Sequence, residues 1–150
     1  TSGRSQVFAR DLWPSDKWRG HNVHRPGKGI SKTTRYLDPI AHATAQADIL
    51  KHDEKCDLVI CLSHLGYKYD YAKVSDIQLA QNSKSIDIII GGHTHTFMDK
   101  PDIYRNKEGE NVIIHQVGWA GIRLGKIDVT FEKNKRNKCV TCEGIWVKEA

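Results

Sequence analysis

Two short apolar runs, each ending in a histidine, constrain this chain most. Leu58-Val59-Ile60-Cys61-Leu62 runs into Ser63-His64-Leu65-Gly66. Ile86-Asp87-Ile88-Ile89-Ile90 runs into Gly91-Gly92-His93-Thr94-His95-Thr96. Runs this short and this apolar read as buried strands. A helix-like stretch, 75–83, separates them, with Ser75 or Asp76 as its cap. Strand, helix, strand is α/β order, and in open α/β sheets the strand ends are where ligands and chemistry collect.

The rest of the chain is read around that unit. Asp38-Pro39 is a helix start, an N-cap acceptor followed by proline at the first helical position, so a helix is expected over 39–54. Ile40, Ala43, Ala47 and Leu50 form its apolar stripe, and His42 and His52 are expected on its surface. Asp57 and Asp87 stand at strand entrances as turn or cap residues. Beyond Pro101 the pattern becomes β-rich: a buried strand over 112–117, a Gly-rich bend over 118–125, an alternating strand over 126–132 and a last strand over 139–148. The expected class is α/β, with strand-helix-strand units followed by an antiparallel β meander.

The chain has 150 residues, enough for one domain with its own core. No apolar stretch approaches the roughly 20 residues that span a bilayer. The sequence opens on Thr1-Ser2-Gly3-Arg4, without an initiator methionine or an apolar signal-peptide core. The net charge of +5 is uneven: residues 1–36 carry +6 and residues 37–150 carry −1. Residues 1–35 therefore read as a basic, irregular segment with one short strand, and residues 36–150 as the folded unit. Basic charge attracts polyanions, but no nucleic-acid reading element accompanies it, so a nucleic-acid partner is not expected. Cys56 and Cys61 sit in or beside an apolar run. Cys139-Val140-Thr141-Cys142 is a C-x-x-C without a second Cys/His pair at finger spacing, which leaves zinc, redox and disulfide readings open.

The histidines carry the chemical signal. On an extended segment His93 and His95 point to the same side. They could then serve one ion, or one each of two ions about 3.5–4 Å apart. Gly91 and Gly92 let the backbone turn and approach the site. Arg123 reads as a salt-bridge residue, His115 as a core or sheet residue, Trp119 as a residue of the bend beside the cleft, and Tyr67, Tyr69 and Tyr71 as a lid-like loop.

Several blocks then run in a specific order: Cys56 to Gly66, Asp76-Ile77-Gln78-Leu79-Ala80, Ile86 to Thr96, Gln116-Val117-Gly118, and Gly121 to Ile127. Over roughly residues 36–132 this order resembles the second half of the catalytic domain of the 5'-nucleotidase family, within the calcineurin-like metallophosphoesterases. The resemblance implies half of a four-layer αββα sandwich. It implies a centre of two divalent metal ions (zinc, manganese or similar) and hydrolysis of nucleotide phosphomonoesters by a metal-activated water. It implies His64 and His93 as ligands of one ion and His95 as ligand of the other. It also implies a periplasmic or extracellular parent enzyme.

Three family motifs are absent from the chain: Asp-x-His, Gly-Asp-x-x-Asp and Gly-Asn-His-Glu/Asp. They carry the bridging Asp, the Asn ligand and the transition-state His, so no catalytic residue is assigned here. The resemblance places them upstream of Thr1. A chain without them is expected to bind metal weakly and to turn over phosphate esters poorly. The alternative reading is a non-catalytic fragment that associates with a partner or with its missing N-terminal half.

Overall fold

The computed structural model describes residues 9–11, 37–131 and 138–147, with backbone only at 9–11, 138 and 139. The reading of residues 1–35 as a basic segment otherwise lies outside the described residues. The expected short strand is present there as β1 (Ala9–Asp11).

The first helix begins where the cap predicts. In α1 (Pro39–Asp48), Asp38 Oδ1 accepts from the backbone N–H of Ile40 at 2.8 Å and of Ala41 at 3.2 Å. A π-helical turn, Ile49–Asp53, extends it, so helical backbone covers the expected range. Ser75 caps the second helix, α2 (Asp76–Asn82), by accepting from Gln78 N–H at 3.3 Å.

Strands β2 (Ile60–Leu62), β3 (Ile88–Ile90) and β5 (Asn111–His115) join β1 in one parallel array. Strand β4 (Asp102–Arg105) pairs antiparallel with β5 at the edge, giving the order β1-β2-β3-β5-β4. A separate two-stranded sheet is formed by β6 (Arg123–Phe131) and β7 (Lys138–Trp146). The antiparallel end of the chain thus takes the form of two pairs in different sheets. Among the described residues there are three layers: helices, five-stranded sheet and hairpin.

Side-chain alternation builds these layers. Successive residues of a strand face opposite ways. Val59, Cys61, Ile89, Val112 and Ile114 face the helices and meet Ala43, Ala47, Leu79 and Ala80. Leu58, Ile88 and Ile113 face the other way and meet Ile127, Val129, Val140 and Cys142 of the hairpin. A central sheet covered on both faces explains why its runs are continuously apolar rather than alternating.

Backbone geometry excludes a disulfide between the two cysteines of the C-x-x-C. Cys139 and Cys142 lie within the continuous strand β7. Three residues of strand span about 10 Å, beyond the reach of a disulfide. Cys142 is a free thiol facing the interlayer core, and burial raises its pKa.

Asp87 anchors a strand entrance as anticipated. Its Oδ2 accepts from the buried Val59 N–H at 2.7 Å and meets Lys51 Nζ at 3.2 Å. Asp87→Ala leaves that N–H without an acceptor and is expected to cost about 1–3 kcal/mol, read from the urea midpoint.

Candidate functional site

The parallel strands deliver their C-terminal ends side by side. Ser63 N–H donates to Ile90 O at 2.9 Å, and Gly91 N–H donates to His115 O at 3.0 Å. The segments after β2, β3 and β5 therefore leave the sheet together, carrying His64, His93 and Gln116.

Beneath them lies a buried polar network. Asp76, at the first position of α2, is fully buried. Ser63 Oγ donates to its Oδ1 at 2.5 Å, and Gln116 Nε2 donates to its Oδ2 at 3.0 Å. Gln116 Nε2 also donates to Gly92 O at 2.9 Å. Its Oε1 accepts from Thr96 N–H at 3.1 Å and from Thr94 Oγ1 at 3.3 Å. Thr94 Oγ1 in turn accepts from Tyr67 N–H at 2.9 Å.

Above the network, the rings of His64 and His93 meet edge to face, with centroids 5.2 Å apart. The segment holding His93 and His95 is not extended. Both residues are left-handed, with φ of 70° and 53°. A left-handed non-glycine residue costs about 1–2 kcal/mol, so their placement is imposed by the hydrogen bonds on Thr94, Thr96 and Gly92. His95 instead stacks on Trp119, with centroids 5.9 Å apart and planes 15° from parallel. All three histidines are exposed.

Of the two roles expected of the glycine pair, turning and close approach, the structure shows the second. Neither Gly91 nor Gly92 is left-handed. A Cβ at Gly91 would lie 2.2 Å from Asp76 Oδ2 and 2.7 Å from Gln116 Nε2. One at Gly92 would lie 3.1 Å from His64 Nδ1. Close approach, not turning, requires glycine here.

Asp76 and Gln116 are the site components that sequence reasoning misses. One signal is present. Asp76, Leu79 and Ala80 are spaced i, i+3, i+4 and are all buried, so a carboxylate sits on an apolar stripe.

The other candidates fall elsewhere. Arg123 is not at the surface: its side chain is 6% exposed, pairs with Asp99 at 2.8 Å, donates to Met98 O at 3.3 Å and lies over Trp146. It fastens the hairpin to the segment after the histidine loop. His115 is buried against the hairpin, its ring carbons and Nε2 close to Gly125. Burial, then the charge of Arg123, lowers its pKa. Tyr67 and Tyr69 do not form a free lid. Tyr67 Oη donates to Asp102, and Tyr69 Oη donates to Leu65 O at 2.6 Å.

For a divalent ion, two neighbouring imidazoles are chemically suitable donors. A Cβ at Gly92 would press against His64 Nδ1, at 3.1 Å. Among the described residues, no group of three or more His, Cys, Asp or Glu side chains gathers to hold a metal ion. The donor set therefore fits part of a metal centre.

Sequence comparison agrees with the motif order. Over 108 residues the chain is 35% identical to a trifunctional nucleotide phosphoesterase protein of Bacillus subtilis, covering 72% of this chain and 7% of that protein. Over 128 residues it is 33% identical to an apyrase of Tabanus yao, covering 75% of this chain and 21% of that one. Among solved structures, the 5'-nucleotidase precursor of Thermus thermophilus superposes with a TM-score of 0.65 and 26% identity, over 77% of this chain and 24% of that one. Over about three quarters of its length, this chain is similar to members of the 5'-nucleotidase family. The Haemophilus influenzae NAD nucleotidase shares the fold, with a TM-score of 0.61 at 24% identity over 74% of this chain and 21% of that one. No family model matches. The chain spans between 7% and 24% of the length of these relatives. They are nucleotide-cleaving enzymes by name, and the α/β architecture read from sequence is theirs.

Burial pushes the Asp76 carboxyl up from its ordinary 3.8 to about 6, and the bonds from Ser63 and Gln116 offset this only in part. A folded pKa raised above the unfolded one gives stability that is complete below about pH 3.8 and lost as pH rises through about 6. The expected loss is of the order of 2–3 kcal/mol. Urea unfolding at pH 4 and pH 7 should show this loss in the wild type relative to Asp76→Asn, which has no such titration. Equal pH dependence in the two proteins contradicts the assignment.

Proposed function

We propose that this chain carries part of the active site of a metal-dependent hydrolase that cleaves phosphate esters of nucleotides. The observation behind the reading is the meeting of His64 and His93, 5.2 Å between ring centroids, where two parallel strands end. In this reading His64 and His93 hold one divalent ion, zinc, manganese or similar, and His95 contributes to a second. Bound metal would polarise the phosphoryl group and lower the pKa of a water. The chain's own residues hold the donors in place. Gly92 admits His64 close to the loop backbone. Trp119 lies flat against His95 and limits its rotation. Asp76 and Gln116 fix the strand ends from below.

The substrate assignment follows the relatives, which are nucleotide phosphoesterases and nucleotidases. The whole enzymes are much longer, and the three absent motifs would have to supply the remaining ligands and the transition-state group. Calorimetric titration with Zn²⁺ or Mn²⁺ should show weak binding that disappears in His64→Ala and in His93→Ala. Binding indifferent to both substitutions sinks the reading. Hydrolysis of p-nitrophenyl phosphate and AMP with either metal should stay near the buffer rate. Vigorous turnover abolished by His93→Ala would show instead that the chain completes the site alone.

A second reading, association with another polypeptide, has one specific support. Trp119, Leu124, Ile145, Trp146 and Val147 are exposed apolar side chains on the hairpin and the bend before it. Exposed apolar surface of this kind marks interaction sites. Light scattering after size exclusion should then give a mass above 17.0 kDa, returning to that value in Leu124→Glu. A monomer at all concentrations removes this support. Among the described residues no helix is long and apolar enough to cross a membrane.

A further inference from the structure

The geometry points to Asp76 as the positioning residue that sets the mutual placement of His64, His93 and His95. The inference deepens the metal-centre reading and rests on it in its metal arm.

Three separate segments carry the histidines and their support, and each is tied to this one carboxylate. The segment after β2 is held through Ser63 Oγ, 2.5 Å from Oδ1, and His64 is the next residue. The segment after β3 is held in two ways. Gly91 lies so near Oδ2 that no Cβ fits, and Gln116 passes the restraint on to Gly92 O and Thr96 N–H, on either side of His93 and His95. The segment after β5 is held through Gln116 itself. Asp76 N–H also donates to Gly66 O at 2.8 Å, closing the loop that follows His64. One group thus fixes the exits of β2, β3 and β5. Moreover, the polarity of the group matters. Both oxygens accept, so Gln116 must present Nε2 to Asp76, and its Oε1 then faces Thr96 N–H.

That polarity gives the test. In D76N the new amide must aim its oxygen at Ser63 or at Gln116. Keeping the oxygen on Ser63 Oγ sets its NH₂ against Gln116 Nε2, donor against donor. Gln116 must then turn and lose both Thr96 N–H and Gly92 O; with the oxygen on Gln116 instead, the new NH₂ faces Ser63 Oγ and that hydroxyl loses its acceptor. Asp87→Ala serves as the control, because it also removes a carboxylate that anchors a strand, at the entrance of β3 rather than at its exit.

The experiment has two readouts on the full 150-residue chain. In metal-free protein, long-range ¹H–¹⁵N spectra of the imidazoles report each ring's surroundings. D76N is expected to shift the signals of His64, His93 and His95, whereas Asp87→Ala leaves them at wild-type positions. Zn²⁺ titration is expected to show about 10–100-fold weaker binding in D76N and less than a twofold change in Asp87→Ala. Should D76N fail to fold, Ser63→Ala breaks one tie to Asp76 only and should move the signals of His64 and of its ring neighbour His93 while leaving those of His95. Wild-type imidazole signals in D76N, or equal shifts in Asp87→Ala, overturn the assignment. If the wild type shows no histidine-dependent Zn²⁺ binding, the metal reading fails while the imidazole spectra still decide the role of Asp76.

Discussion

A carboxylate with no access to water, held by one hydroxyl and one amide, organises this molecule. Burying an unpaired carboxylate is costly, and hydrogen bonds lower that cost only if donors stand in fixed places. Asp76 therefore demands that Ser63 and Gln116 stay where they are, and they in turn hold the exits of β2 and β5. Gly91 is constrained by the same atom, since any larger residue would collide with it. The loop bearing two histidines inherits its shape from this point. Its two left-handed residues would be unfavourable in a free peptide, and the network supplies the compensation.

Much of the architecture was legible because burial on two faces writes itself into sequence. Continuous apolar runs at 58–62 and 86–90 can only be satisfied inside a covered sheet, and the Asp38-Pro39 cap fixes a helix start through backbone chemistry alone. Strand β4 was not legible. Asp102 to Arg105 lies at the sheet edge, where Ile103 is 58% exposed, so no apolar periodicity marks it. The pairing of β5 with β3 was hidden too, because a strand's sequence does not record which neighbour it takes.

The candidate site was legible in its histidines and illegible in its geometry. His64, His93 and His95 stand out by type and by position after apolar strands. Their orientation depends on contacts 20 to 40 residues away in sequence, such as Gln116 with Gly92 and with Asp76. Arg123 illustrates the same limit. Its sequence context suggests a surface ion pair, yet Gly144 leaves the space in which its guanidinium is buried. The chain spans at most about a quarter of the length of the relatives it resembles.

The stack of His95 on Trp119 has an optical consequence. An indole lying 5.9 Å from an imidazole, with planes nearly parallel, can pass an electron to it from the excited state. A cationic or metal-bound imidazole withdraws electron density from its neighbour, so the emission of Trp119 should dim when His95 gains either a proton or an ion. The turn that presents this indole, with Gly118, Ala120 and Gly121 all left-handed, keeps it in place without burying it. In the metal-centre reading proposed above, an ion at His95 would therefore register in the Trp119 share of the emission, within a chain of four tryptophans.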